Sequence, residues 1–338
     1  MVSKDLSILG IKYPDLCWDI VSFFSNPEIP SIYQTTLYKS LGEGLLAKVV
    51  KSSVDFAAKF SQKYTDFSEN STIQPFTISK ICDILCEHNI LTKVSIAGFS
   101  LAFGENFYYK LDPISNEPYI KRHINSLVFG FKYIYESNKK NVLPICVYND
   151  NADEEKNKYG TGTCFQTIYG IVTAKHCIEK QTHICIPGLD LKTLKSSKVK
   201  TNKDSDLLLI TPSTPYNYKD KLLIEDGEIL DDIMVMGYPR HAGFENFLTA
   251  TTGQIAGIAK PYLCNYQTLL LTGKIKGGNS GGPVLNKRGQ VVGVITETPE
   301  AEGDYDKFGY GLAILSNYIT KLTEDYTQSI NFVEELPQ

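Results

Sequence analysis

Hydrophobic positions change their spacing about 140 residues into the chain. Upstream they recur at helical intervals. Between residues 39 and 64, Leu41, Leu45, Leu46, Val49, Val50, Val54, Phe56, Ala57 and Phe60 lie at helix-compatible steps, which predicts helix. A second helix is predicted from Thr77 to Leu91, capped by Thr77 or Ser79, with Ile78, Ile81, Cys82, Ile84 and Leu85 on its buried stripe. Residues 94–103 and 107–111 read as two strands around the turn Gly104, Glu105, Asn106. From about residue 142 the apolar runs become short, β-rich and separated by Gly, Pro, Asn and Asp: VLPICVY, GIVTAKH, THICIPG, DLLLITP, DIMVMGYP, TLLLTG, QVVGVIT and YGLAIL. That pattern predicts an all-β sandwich or barrel. The polar stretch Glu136 to Asn141 marks the seam. Residues 1–135 are thus expected to form an α+β domain, residues 136–325 an all-β domain, and residues 326–338 a C-terminal tail.

Composition narrows the function classes. With 338 residues, 42% hydrophobic and 21% charged, the chain is globular, long enough for two cores, and neither disordered nor fibrous. Net charge is −4, and residues 1–140 hold 15 Lys+Arg against 14 Asp+Glu, so the electrostatic footprint of a nucleic-acid binder is missing. No apolar run reaches 18 residues, so no membrane span is expected. Lys12, Pro14 and Asp15 interrupt the first apolar stretch, which makes a poor signal peptide. The eight cysteines lack framework spacing and read as reduced thiols, so the expected compartment is the cytoplasm, with signal-less secretion left open. Two helices followed by a two-stranded wing make the first domain resemble a winged helix. Its near-neutral charge favours a regulatory or protein-interaction role through residues 1–135 over nucleic acid. Cys82, Cys86 and His88 have the spacing of part of a zinc site, but lack a second ligand pair, so no metal and no cofactor are expected.

Three segments carry chemistry. Gly277-Gly278-Asn279-Ser280-Gly281-Gly282-Pro283 is poor in side chains, which suits a tight loop whose backbone N–H groups point at one spot. A serine hydroxyl in such a loop needs a base and an anion cradle to act as a nucleophile, and the Gly278 and Ser280 amides are placed to supply the cradle. Ile171 to Cys177 reads as a buried strand ending in His176. Asp206 heads the apolar strand Leu207 to Ile210 and can hold an imidazole by its second nitrogen, with Asp204 as the alternative.

The order His176, Asp206, Ser280, together with GTGT at 160–163, MGYP at 236–239, TTGQIAGI at 251–258, GNSGGPVLN, QVVGVIT and GYGLAILSNYI, resembles the trypsin-like serine proteases, in their HtrA/Deg-like branch without a PDZ segment. The likeness covers about half of the chain. It implies a double β-barrel of chymotrypsin type, a serine endopeptidase with a His176-Asp206-Ser280 triad and a Gly278/Ser280 oxyanion hole, and a protein or peptide as substrate. It further implies that Thr296, Glu297 and Thr298 pair with an extended substrate, and that Lys274 and Ile275 form the floor of the primary specificity pocket. A Lys274 turned inward would favour an acidic residue before the cleaved bond. Turned outward, it leaves Ile275 and apolar walls that favour a small aliphatic one. The rival readings are an inactive scaffold and a nucleic-acid-responsive regulator.

Overall fold

A computed structural model describes residues 6–65, 72–95, 106–112, 114–115, 117–152, 159–202, 204–212, 220–240, 245–261, 266–296, 309–325 and 330–337. They divide into two units, Met1–Ile134 and Tyr135–Gln338.

The first unit holds helices α1 (Ser7–Lys12), α2 (Leu16–Ser25), α3 (Gln34–Leu41), α4 (Leu45–Val49), α5 (Ser53–Lys59), α6 (Pro75–Glu87) and most of α7 (Pro118–Asn138), with strands β1 (Lys51–Ser52), β2 (Thr92–Val94) and β3 (Phe107–Tyr109). The single helix expected over residues 39–64 is instead α4, β1 and α5, preceded by the end of α3. Gly42, at φ +76°, ends α3 in a conformation that side chains resist. Val50 is extended, and Ser52 then starts a new helix with a capping box: its hydroxyl accepts from Asp55 N at 3.2 Å, and the Asp55 carboxylate accepts from Ser52 N at 2.7 Å. Helical spacing alone could not show these breaks, because the apolar positions serve two cores: Leu41, Leu46 and Val50 pack with Leu37 and Phe107, while Phe56 and Phe60 join the larger core of Leu16, Ile20, Phe23, Phe24, Tyr64, Ile78, Ile81 and Leu85.

Pro75 begins α6 two residues before the expected cap, since proline at the first helical position loses no hydrogen bond; Thr77 and Ser79 lie buried inside the helix. Strand β3 sits between β1 and β2, with Ser52 opposite Phe107 and Val94 opposite the same residue from the other side. The order helix, strand, two helices, two strands, with the last strand central, is a winged-helix connectivity. Residues 60–74 separate α5 from α6, far more than the three or four residues of a helix-turn-helix. Much of the expected wing, residues 96–105, lies outside the described residues.

The second unit is built from two sheets. Strands β4 (Val142–Tyr148), β5 (Tyr159–Thr167), β6 (Gly170–Ala174), β7 (His183–Cys185), β8 (Lys198–Thr201), β9 (Leu207–Thr211) and β16 (Glu324–Asp325) form a seven-stranded sheet ordered β16-β8-β9-β6-β5-β4-β7. Its core includes Ile145, Cys164, Ile171, Ala174, Leu208 and Ile210. Strands β10 (Asp232–Gly237), β11 (Thr249–Ala259), β12 (Thr268–Leu271), β13 (Pro283–Asn286), β14 (Val291–Ile295) and β15 (Gly311–Leu315) close into a barrel ordered β10-β11-β12-β15-β14-β13 around Ile233, Val235, Ile255, Leu269, Val284, Val292 and Ala313. A closed six-stranded barrel beside an open, half-barrel sheet is consistent with the chymotrypsin fold expected above, in place of two closed barrels; a helical unit precedes it in the chain.

The chain's end is no loose tail. Phe332 is buried in the core of the first sheet, and Asn331 and Val333 pair with Ile184 at the free edge of β7.

Candidate active site

Strand β6 is buried along its whole length and ends in a single 3-10 turn, Lys175–Cys177, which lifts His176 off the strand end. The turn is pinned to the entrance of β9: Lys175 N–H donates to Asp206 O at 3.1 Å, and His176 N–H donates to Asp206 Oδ1 at 2.9 Å. The imidazole Nδ1 lies 2.6 Å from Asp206 Oδ2, and Thr296 donates its hydroxyl to that same oxygen at 2.5 Å. A carboxylate that already accepts from two other donors fixes the proton on Nδ1 and leaves Nε2 as the acceptor. Asp204 is exposed.

Burial of the ring works against the charged imidazole. That is the largest single effect, but the hydrogen bonds to Asp206 and Cys177 and the charges of the two groups together outweigh it and raise the His176 pKa above its ordinary value.

The glycine-rich loop around Ser280 is held by its carbonyls. Gly277 O accepts from Arg240 N at 2.8 Å, and Asn279 O accepts from Gly282 N at 2.8 Å. In a trans peptide the C=O and the following N–H point in opposite directions, so these two bonds turn the Gly278 and Ser280 N–H groups away from the loop's own anchors. The Asn279 N–H between them is spent on Lys276 O at 3.0 Å. Among the described residues, neither the Gly278 nor the Ser280 N–H has an acceptor.

Glycine is required twice here. Gly278 has φ +96° and a Cβ would stand 2.5 Å from Tyr238 O; Gly281 has φ +81° and a Cβ would stand 2.2 Å from Thr163 O.

Thr163 on β5 joins the open sheet to the barrel, and sequence reading passed over it. Its hydroxyl donates to Gly278 O at 2.8 Å and accepts from Tyr238 N at 2.9 Å, while its N–H donates to Ser280 O at 2.8 Å. The Cys177 thiol also reaches Ser280 O, at 3.5 Å, and lies 3.8 Å from His176 Nε2. The serine backbone is therefore seated against the residue that follows the histidine. The only sequence signal for Thr163 was its place in the GTGT turn.

The expected substrate-contacting residues divide. Thr296 is buried, with its N–H bonded to Leu312 O at 3.1 Å and its hydroxyl on Asp206, so neither donor faces a substrate. Glu297 and Thr298 lie outside the described residues. Lys274 is exposed, whereas Ile275 is half-buried against the barrel core and fills the space beside Gly311, where a Cβ would stand 2.1 Å from Ile275 Cδ1. On α6, Cys82 is buried and His88 exposed, so they do not share a face, and no metal-binding cluster occurs among the described residues. No helix among them is long and apolar enough to cross a membrane.

Residues 160–294 match the family described as the trypsin-like peptidase domain. The chain is 27% identical over 195 residues to a probable serine protease do-like of Buchnera aphidicola, covering 55% of this chain and 39% of that protein. It is 27% identical over 176 residues to the periplasmic serine endoprotease DegP of Escherichia coli, covering 50% and 36%. It thus spans less than half the length of these relatives. Among solved structures, the Rv3671c protease from M. tuberculosis in its active form aligns with a TM-score of 0.44 at 17% identity, over 56% of this chain and 82% of that one. The matched segment begins at the strand that carries Thr163 and ends beside Thr296, so it encloses His176, Asp206 and Ser280. Residues 160–294 of the second unit accordingly match a trypsin-like peptidase domain, and the chain is similar to the Do-like and DegP serine proteases.

Proposed function

We propose that the protein is a serine endopeptidase acting through Ser280, His176 and Asp206. The observation that carries this reading is the hydrogen-bonded line Thr296–Asp206–His176, with the Ser280 backbone anchored to the same turn through Thr163 and Cys177. In the proposed reaction His176 Nε2 takes the Ser280 hydroxyl proton as the oxygen attacks a peptide carbonyl. The same nitrogen then returns the proton to the leaving amine. Asp206 holds the tautomer and stabilises the imidazolium that forms, without itself being protonated. The Gly278 and Ser280 N–H groups would receive the developing oxyanion, a role typically worth about 2.7–4 kcal/mol per donor. Water repeats the sequence on the acyl-enzyme.

The substrate class is a protein or peptide. An outward Lys274 and an Ile275 set beside Gly311 support a shallow apolar primary pocket, hence a small aliphatic residue before the cleaved bond. The first unit is read as a protein-interaction module that regulates the peptidase. The only lysine on α6 is the half-buried Lys80, while Asp83 and Glu87 lie on the same helix, a poor match to phosphate.

The test is a fluorophosphonate probe applied to the full chain and to Ser280→Ala, with the adduct located by mass spectrometry. Labelling at Ser280 in the wild type and none in the variant is expected. An unlabelled Ser280 in a folded wild-type protein overturns the assignment.

A further inference from the structure

Cys146 on β4 and Cys185 on β7 are direct register partners across an antiparallel ladder. Opposed residues in such a ladder have Cα atoms about 4.5–5.5 Å apart and side chains on one face. A disulfide requires about 4.4–6.8 Å. The flanking pairs, Val147 with Ile184 and Tyr148 with His183, hold the register on one side, and Ile184 is further tied to the chain's end by two backbone bonds of 2.9 Å. Both thiols are free. Cys146 Sγ accepts from Asn246 Nδ2 at 3.5 Å, and Cys185 Sγ donates to Glu334 O at 3.0 Å; the alternating neighbours Ile145, Val147, Ile184 and Ile186 belong to the sheet's core, which puts both cysteines on the opposite face.

The other close cysteines lack this geometry. Cys82 and Cys86 stand one turn apart on α6, and Cys164 is fully buried.

We infer that Cys146 and Cys185 form an oxidisable dithiol whose disulfide braces the sheet that supplies His176 and Asp206. The bridge would enclose residues 146–185, and so β5, β6 and the His176 turn. The oxidant is a small disulfide such as oxidised glutathione. One protein thiolate attacks its sulfur and expels one glutathione thiolate, leaving a mixed disulfide. The second protein thiolate then displaces the remaining glutathione. Two protein thiols are oxidised by two electrons, and one oxidised glutathione becomes two reduced molecules. Burial raises both thiols above the ordinary range, so few thiolates exist at neutral pH and closure is slow.

A disulfide acts mainly by restricting the unfolded chain, more so for a long loop. Full-length protein is incubated with excess oxidised glutathione, mapped under non-reducing conditions and melted. The expected result is a loss of two hydrogens, a linked peptide pair containing Cys146 and Cys185, and a melting temperature raised by roughly 5–10 °C, reversed by dithiothreitol. Cys146→Ser and Cys185→Ala should each lack the rise. A glutathione adduct that persists on one cysteine, a bridge between other cysteines, or a Cys146–Cys185 bridge with no rise in melting temperature would overturn the proposal. Peptide mapping of the wild type decides the question even if a variant fails to fold. Fluorophosphonate labelling of Ser280 does not depend on this bridge, so failure here leaves the peptidase reading untouched.

Discussion

Asp206 accepts three hydrogen bonds, from His176 N, His176 Nδ1 and Thr296 Oγ1, and so fixes both where the imidazole stands and which nitrogen is bare. Asp206→Asn can no longer hold the proton on Nδ1 and should slow hydrolysis by about ten-thousand-fold in kcat. Asp204→Asn, at an exposed position, should stay within about twofold of wild type in the same peptide assay. Thr296→Val removes one hydrogen bond to a charged group, worth about 1.5–3 kcal/mol, and should lower kcat by roughly tenfold or more with little change in KM.

The pH profile carries a sign. His176 acts as a base only when neutral, and its pKa is raised above the ordinary value near 6.5. The acid limb of kcat/KM should therefore have its midpoint above about 6.5, and Asp206→Asn should move it to lower pH. The same linkage makes the His176–Asp206 pair's contribution to stability fully present below the ordinary histidine pKa. It is lost as pH rises through the folded-state value.

At the scale of elements, the nucleophile loop is shaped by what it leans on. A Cβ on Gly281 would meet Thr163 O and Ala174 N, backbone atoms of β5 and β6, and the Thr173 hydroxyl, all just before the histidine turn. Gly281→Ala must push against main chain at φ +81°, so it should cost about 2–4 kcal/mol in urea unfolding and displace Ser280 from the histidine turn. Lys274→Gln should leave cleavage of a peptide with a small aliphatic residue before the scissile bond within about twofold, because its side chain is exposed. A strong gain or loss for acidic peptides in the same comparison would instead put the ammonium in the pocket.

At the scale of the molecule, the second unit owns two complete hydrophobic cores and every residue of the proposed site. Residues 136–338 alone should therefore unfold cooperatively in a calorimeter and retain Ser280 labelling. A molten product, without a heat-absorption peak, would show that the peptidase unit depends on the first unit for folding.

Much of the peptidase domain was legible in order along the chain, because its chemistry is written in short runs. GNSGGP, the strand before His176 and the acid before Leu207 each require particular residue types at one place. Short alternating strands with turn signals likewise follow from local patterning. Local pattern also misled: the stripe over 39–64 serves two cores, and only tertiary packing separated it into α4, β1 and α5. Helices α1, α2 and α7 went unread, their apolar positions being mixed with aromatic and polar ones that gain meaning only against a partner. Thr163, Thr296 and the Cys146–Cys185 pair lie far from their partners in sequence. Their roles arise from bonds across 75 to 117 residues, from 90 residues and from a strand register, respectively. The sequence by itself determined which residues could do chemistry and in what order they occur. The tertiary structure decided which of them meet, because a hydrogen bond or a strand register joins atoms brought together by the closing of sheets, a distance no local spacing records.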